Sequence, residues 1–353
     1  MTSRRPPLTI ESLVATPDHY LFAFEADQAI FAAMDRGAYR RSIFLDRRIQ
    51  AASPETVAVP VDALVRYVDR QPLETRASGW IFHIAHCGST LLSRALDRPD
   101  QSLVLREPLA LRQLGVARAQ MADAAPAGDW QARLRLATSL HGRRYRPDAP
   151  AIVKANVPVN FMLSQILEMA PAAPAILLYF PLRPYLLAIL RSPQHRNWVM
   201  NVTGQVQPAL ARLVGGLEGS SLPERAAALW LAQMRLYAEA LERFAGTKSL
   251  HAEDLFNAPL PILAAAAAHL GVRIPERDLE AVVAGDLFST YSKAPAQAFD
   301  NARRLEVRAE TSRLFGAEID QARRWVEQRL ASCPIPPALD RPLAGSSPRL
   351  LDD

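Results

Sequence analysis

Cysteine is nearly absent: the chain of 353 residues has two, Cys87 and Cys333. One falls in a turn and the other in a proline-rich end, so no structural disulfide is expected and a reducing compartment is. Charge of one sign is lacking too. The 41 basic and 36 acidic residues leave a net +5, too small a bias for a nucleic-acid partner but compatible with a local pocket for an anionic ligand. No apolar run is long and clean enough to span a bilayer. The most apolar stretch, 174–190, is interrupted by Pro181, Arg183 and Pro184, so no membrane span is expected. Residues 1–8 carry two arginines with no apolar run behind them; no secretory signal is expected, and the cytoplasm is the expected location. Metal-ligand spacing is also missing, because His83 and His86 stand without a cysteine or acid at the right distance, and no metal is expected. There are no internal repeats. What remains is an ordinary globular composition, 49% hydrophobic and 22% charged, able to bury a core.

The chain is organised around residues 80–96, W-I-F-H-I-A-H-C-G-S-T-L-L-S-R-A-L. A β-compatible run breaks at His86, Cys87 and Gly88, and residues 89–96 continue as a helix without glycine or proline. Strand, tight turn and helix start form a phosphate-binding loop. The first helical turn offers unpaired N–H groups and the positive end of the dipole. Gly88 lets the backbone approach an anion, and Ser89 and Thr90 add hydroxyls. A Walker-type nucleotide loop would need glycine at 83 and lysine at 89, where the chain has His83 and Ser89. The H-C-x5-R loop of cysteine phosphatases, with its activated thiolate, needs arginine where Ser93 stands, and Arg94 comes one residue late.

Other strands end in polar residues. Residues 102–106 read as a strand, and Glu107 follows before Pro108, where open α/β sheets bind ligands. Glu107 reads equally as a site carboxylate and as a partner of Arg106 or Arg112. Residues 151–155 give a third strand with Lys154 at its end, and 175–180 a strongly apolar one suited to a central parallel position. Residues 248–255, K-S-L-H-A-E-D-L, read as the last strand and its exit. Helices are expected within 109–150 and over 161–169, 185–191, 223–244, 262–270 and 307–330, with 206–218 loosely helical. Residues 1–75 read as a small α/β preface: an extended run over 20–24, a helix over 27–34, a short run over 42–45 and a helix over 61–68. Asp46, Arg47 and Arg48 read as a solvated turn, as do His141 and the Arg143-Arg144 pair.

Residues 86–91, His86-Cys87-Gly88-Ser89-Thr90-Leu91, resemble the [KR]-[ST]-G-[ST]-[ST]-[LW] loop of sulfotransferases that use 3′-phosphoadenylyl sulfate (PAPS). His86 takes the basic position. Glu107 follows at almost the spacing at which tyrosylprotein sulfotransferases carry a glutamate base. Residues 154–158, K-A-N-V-P, resemble the K-x-H-L-P segment of cytosolic sulfotransferases, in which the lysine steadies the transferring group. Asn156 replaces the histidine and cannot act as a base near neutral pH. Arg183 stands at a strand end where the family holds the 3′-phosphate, with Ser192, Arg191 and Arg196 as further candidates. Glu253-Asp254-Leu255 is similar to the family's E-D-L segment and is read as structural. Lys293, in F-S-T-Y-S-K-A-P, is either a surface lysine or a phosphate contact from a loop over the nucleotide.

The resemblance covers roughly residues 79–295 and implies a three-layer P-loop α/β fold: a central parallel sheet flanked by helices, with an N-terminal α/β extension and C-terminal helices. The expected division is an extension over 1–75, a core over 76–295, a helical segment over 296–331 and a disordered tail over 332–353, rich in proline. The implied activity is in-line transfer of a sulfuryl group from PAPS to a hydroxyl or amine of a small-molecule or glycan acceptor. Glu107, Lys154 and protonated His86 are the catalytic candidates. Cys87, Gly88, Ser89, Thr90, Leu91, Arg183, Ser192 and Lys293 are the candidates for holding the co-substrate. A P-loop kinase-like phosphotransferase and a non-catalytic nucleotide-binding homologue are the alternatives, and a homodimer is left open.

Overall fold

The computed structural model describes residues 8–71, 78–121 and 128–352. The expected boundary at residue 75 and the helical reading over 122–127 lie outside them. The first strands, β1 (His19–Glu25), β2 (Gln28–Ala33) and β3 (Thr56–Pro60), form an antiparallel sheet in that order. The helix expected over 27–34 is therefore β2. Its alternate Ala29 and Phe31 are buried while the backbone pairs with both neighbours, and that pairing outweighs the local preference of an alanine-rich run for helix. The run over 42–45 joins no ladder. Instead the Leu45 N–H donates to the carbonyl of Arg106 at 2.7 Å, which ties the preface to the core. A helix that sequence reading missed, Arg36–Arg41, precedes it, capped by Asp35.

Five parallel strands make the core: β4 (Gly79–His83), β5 (Leu103–Arg106), β6 (Ala151–Lys154), β7 (Ala175–Tyr179) and β8 (Thr247–His251). Their order is β5-β6-β4-β7-β8, with helices flanking the sheet. Strands β4 to β7 are buried at every position, as expected for strands covered on both faces. The connections leave β4 in opposite directions, to β5 and β6 on one side and β7 and β8 on the other. Such a switch point opens a crevice at the carboxyl ends of the strands. Register brings Arg106 opposite Lys154 and His83 opposite Leu178.

The longest core helix, Leu222–Arg243, buries Trp230, whose indole N–H donates to the Phe180 carbonyl at 2.9 Å. A final helix, Asn301–Glu327, packs on it, and a short hairpin, β9 (Thr290–Tyr291) and β10 (Ala294–Ala298), precedes that helix.

The proline-rich end is not a disordered tail. Leu339 and Leu350 are fully buried and Cys333 nearly so. Ser249 of β8 donates its N–H to Arg341 and accepts from the Leu343 N–H at 2.7 Å, so the segment closes the edge of the sheet. Apolar residues between the prolines supply burial that composition alone does not reveal. His141 and Arg143 are buried as well. The Arg143 guanidinium donates to the carbonyls of Leu13, Thr16, His19 and Leu140, and so braces the preface rather than facing solvent. Among the described residues no helix is long and apolar enough to cross a membrane.

Candidate active site

Between β4 and the helix Ser89–Leu96, three residues take left-handed backbone angles: Ala85 (φ 73°), His86 (φ 50°) and Gly88 (φ 83°). A left-handed turn running into a helix N-terminus is the backbone pattern of an anion-binding concavity. At Gly88 a side chain is strained, because φ is 83° and a Cβ would lie 2.8 Å from the Phe256 ring, which would have to shift. Ser89 and Thr90 are almost fully buried in the first helical turn. The Cys87 thiol turns away, toward the Leu178 carbonyl at 3.7 Å, and burial pushes it up to about 11. A buried thiol raised in this way stays protonated near pH 7 and is a poor source of a thiolate nucleophile.

Glu107 follows β5 with φ 58°, a left-handed conformation that costs a non-glycine residue about 1–3 kcal/mol. Its N–H donates to the Lys154 carbonyl at 2.8 Å. One carboxylate oxygen accepts from the Lys154 ammonium and the other from the Asn156 amide at 3.0 Å. Lys154, with no exposed surface, also donates to the Thr90 hydroxyl at 3.2 Å. One cation thus links the anion loop to the carboxylate.

Electrostatics follow from burial and neighbours. Burial alone would raise the Glu107 carboxyl, but Lys154, His83 and Lys293 outweigh it and hold the group at about 2. Burial lowers the Lys154 ammonium against the pull of Glu107. His83, whose Nδ1 accepts from the Ala85 N–H at 3.0 Å, falls to about 3 through burial and then Lys154. Its proton therefore sits on Nε2, 3.7 Å from Glu107. Burial, then Lys293, His195 and Arg191, hold His86 well below the usual histidine range. His86 is thus neutral near pH 7, which corrects the expectation of a protonated donor.

Two clefts meet here. The first is lined by Ser89, Thr90 and Leu91 with Phe180, Phe256 and Phe288, and by Arg191, Arg304 and Arg308. The second holds Glu107 and Asn156 with Phe44, Arg112 and Trp198. Asp46 and Arg48, expected as a solvated turn, also line the second cleft, because the Ser42-to-Leu45 run lies against the end of β5. His86, Tyr291 and Lys293 line both. Lys293 stands in the turn between β9 and β10, which Arg94 anchors by a 2.9 Å bond to the Ser292 carbonyl.

Two expected ligand residues lie elsewhere. Arg183 pairs with Asp320 at 2.8 Å and lines neither cleft. A strand-end arginine is here drawn off by an acid on the last helix. Ser192 caps the helix Pro193–Gln205, with its hydroxyl 2.6 Å from His195 Nδ1, and also lines neither. Arg191 does. Arg304 and Arg308, missed by sequence reading, share the Glu253 carboxylate, which confirms Glu253 as a brace. Arg304 also stacks on Phe256 at 4.2 Å. Their only sequence signal is spacing, since residues four apart share one helix face. Among the described residues no cluster of three metal-ligating side chains occurs.

No protein-family model and no curated protein sequence matches the chain. Among solved structures, a sulfotransferase from Alicyclobacillus acidocaldarius is similar with a TM-score of 0.36 and 14% identity, covering 73% of this chain and 98% of that one. The sulfotransferase domain of the curacin biosynthetic pathway is similar with a TM-score of 0.39 and 17% identity, covering 74% of this chain and all of that one. Likenesses this loose leave function to be argued from the site.

Proposed function

We propose that this chain is a PAPS-dependent sulfotransferase acting on an acceptor hydroxyl or amine. The observation that carries the reading is Lys154, a buried cation bonded at once to Thr90 of the anion loop and to Glu107 at the mouth of the second cleft. A transferase needs that arrangement: an anion cradle, a cation where charge develops on the leaving oxygen, and a carboxylate on the acceptor's side.

The residues present suit the co-substrate. The loop N–H groups with Ser89 and Thr90 would hold its phosphosulfate. Lys293 has no carboxylate ion-pair partner among the described residues and reaches the same space. Arg191, likewise without a carboxylate partner, has its guanidinium 5.7 Å from both the Tyr291 and Phe299 rings, and would take the 3′-phosphate in place of Arg183. The paired phenyl rings of Phe180 and Phe256, 6.5 Å apart and nearly parallel, suit a base. Bound PAPS supplies the activated sulfuryl group.

The chain's own residues do the rest. Lys154 and the loop N–H groups would oppose negative charge on the leaving phosphate oxygen. Glu107, ionised across the neutral range, would accept the hydrogen bond of the acceptor hydroxyl and receive its proton as the new bond to sulfur forms. With a carboxyl held near 2, it orients and polarises the nucleophile rather than deprotonating it beforehand. Asn156 fixes its direction. Transfer of labelled sulfur from PAPS to a panel of hydroxyl and amine acceptors tests the reading. Label should appear on an acceptor, and Glu107→Gln should remove it while sparing nucleotide binding. Full transfer by Glu107→Gln, or magnesium-dependent phosphoryl transfer from ATP instead, would overturn it.

A further inference from the structure

The second cleft carries a charge pattern of its own. Asp46 and Glu107 are its carboxylates, and both are already paired: Asp46 with Arg48 and Glu107 with Lys154. Its imidazoles, His83, His86 and His195, are all lowered chiefly by burial, so none adds charge near pH 7. Two cations remain, Arg112 and Lys293, neither with a carboxylate ion-pair partner among the described residues. Lys293 also faces the phosphosulfate side. Arg112 is left to the acceptor.

Arg112 is half-buried, and its guanidinium donates to one neutral group, the Gln205 side-chain oxygen, at 2.6 Å. A guanidinium has five N–H donors in a planar fork that matches a carboxylate or phosphate. The Arg112 N–H bonds the Pro108 carbonyl at 3.1 Å, so Arg112 lies in the opening of the helix that begins just past Glu107. Glu107 and Arg112 are five residues apart in the chain and both line the second cleft. The walls are aromatic: Phe44 lies under Arg48 at 3.9 Å, and Trp198 meets His86 edge-on at 5.8 Å.

We propose that this cleft takes a hydroxyaryl acceptor that also carries an anionic group, a carboxylate or phosphate, with its hydroxyl at Glu107 and its anion on Arg112. The proposal rests on the transferase reading for what happens to the hydroxyl. Its recognition is tested apart from turnover.

The test is calorimetric binding of three compounds with one ring and different charge, 4-hydroxyphenylacetate, p-cresol and tyramine, with and without adenosine 3′,5′-bisphosphate. The carboxylate should bind at least about tenfold tighter than p-cresol, as a charge-assisted fork allows, and tyramine weakest. Arg112→Gln should cost the carboxylate at least about ten times more affinity than it costs p-cresol, and Arg112→Lys should restore part of the preference. Unchanged thermal unfolding of both variants shows that they are folded. Charge-blind binding, a preference for tyramine, binding of none of the three, or a preference that survives Arg112→Gln would overturn the proposal. Labelled transfer to the same set separates the two readings. Selective binding without transfer removes the reaction and keeps the site, whereas transfer to p-cresol as readily as to the carboxylate removes the site and keeps the reaction.

Discussion

Arg106 and Glu107 are neighbours in the chain, both buried and both ion-paired, yet they have opposite fates. The Arg106 guanidinium bonds Asp97 at 2.7 Å and also the carbonyls of Tyr39, Ser42 and Ile43. Asp97 takes a second cation, Arg36, at 2.9 Å. All three Arg106 guanidinium nitrogens are used, and the pair locks the preface to β5. Glu107 holds one lysine and one amide, takes a left-handed backbone conformation, faces a cleft, and has beside it a buried His83 nitrogen without a partner. Burial of a charge thus does not mark a working residue. What sets Glu107 apart is its open side on a cleft and its left-handed backbone.

The sharpest way to break this contrast is to remove each charge. Glu107→Gln should lower transfer roughly 100- to 10,000-fold while binding of adenosine 3′,5′-bisphosphate stays within about threefold; steady-state kinetics and calorimetry read the two. Asp97→Ala should do the reverse. Leaving Arg106 buried with its main counterion gone should cost about 3–5 kcal/mol of stability, seen in denaturant unfolding, with turnover per folded molecule kept. If Asp97→Ala unfolds no more easily than Glu107→Gln, the two pairs are not different in kind.

A smaller effect is expected at Gly88. Gly88→Ala must hold an alanine at φ 83° against Phe256, a conformational cost of about 1–2 kcal/mol, and bisphosphate affinity should fall with stability. Normal affinity would mean that the loop relaxes.

The last effect is on pH. All seven histidines are lowered, chiefly by burial. The unfolded chain then binds more protons than the folded one, so the histidine contribution is full above about 6.5 and is lost as pH falls toward 4. Glu107, depressed from 4.5 to about 2, adds a further loss as pH falls from about 4.5 toward 2. Unfolding free energy flat between pH 6.5 and 4 would contradict the neutral, buried histidines.

The loop was legible in sequence because strand, turn and helix start are contiguous and each obeys a local rule. The ends of β5 and β6 were legible for the same reason, and so were Glu107 and Lys154. What sequence did not show is convergence. Arg304 and Arg308 reach the loop from over 200 residues away, and nothing near them in the chain marks an anion site. Arg183 looked right locally and is drawn off by Asp320, more than 100 residues distant. β2 failed because a short alanine-rich run is ambiguous until its partners are known, and the C-terminal segment because proline content hides the packing of Leu339 and Leu350.

The central claim is that the loop and Lys154 form a site for a phosphosulfate nucleotide rather than for ATP. Calorimetric titration with adenosine 3′,5′-bisphosphate, against ATP with magnesium, tests it most directly, with Ser89→Ala as a check on the loop. Micromolar binding of the bisphosphate, weakened by Ser89→Ala, with little response to ATP is the predicted result. Tight binding of ATP with none of the bisphosphate, or silence from both, would contradict it.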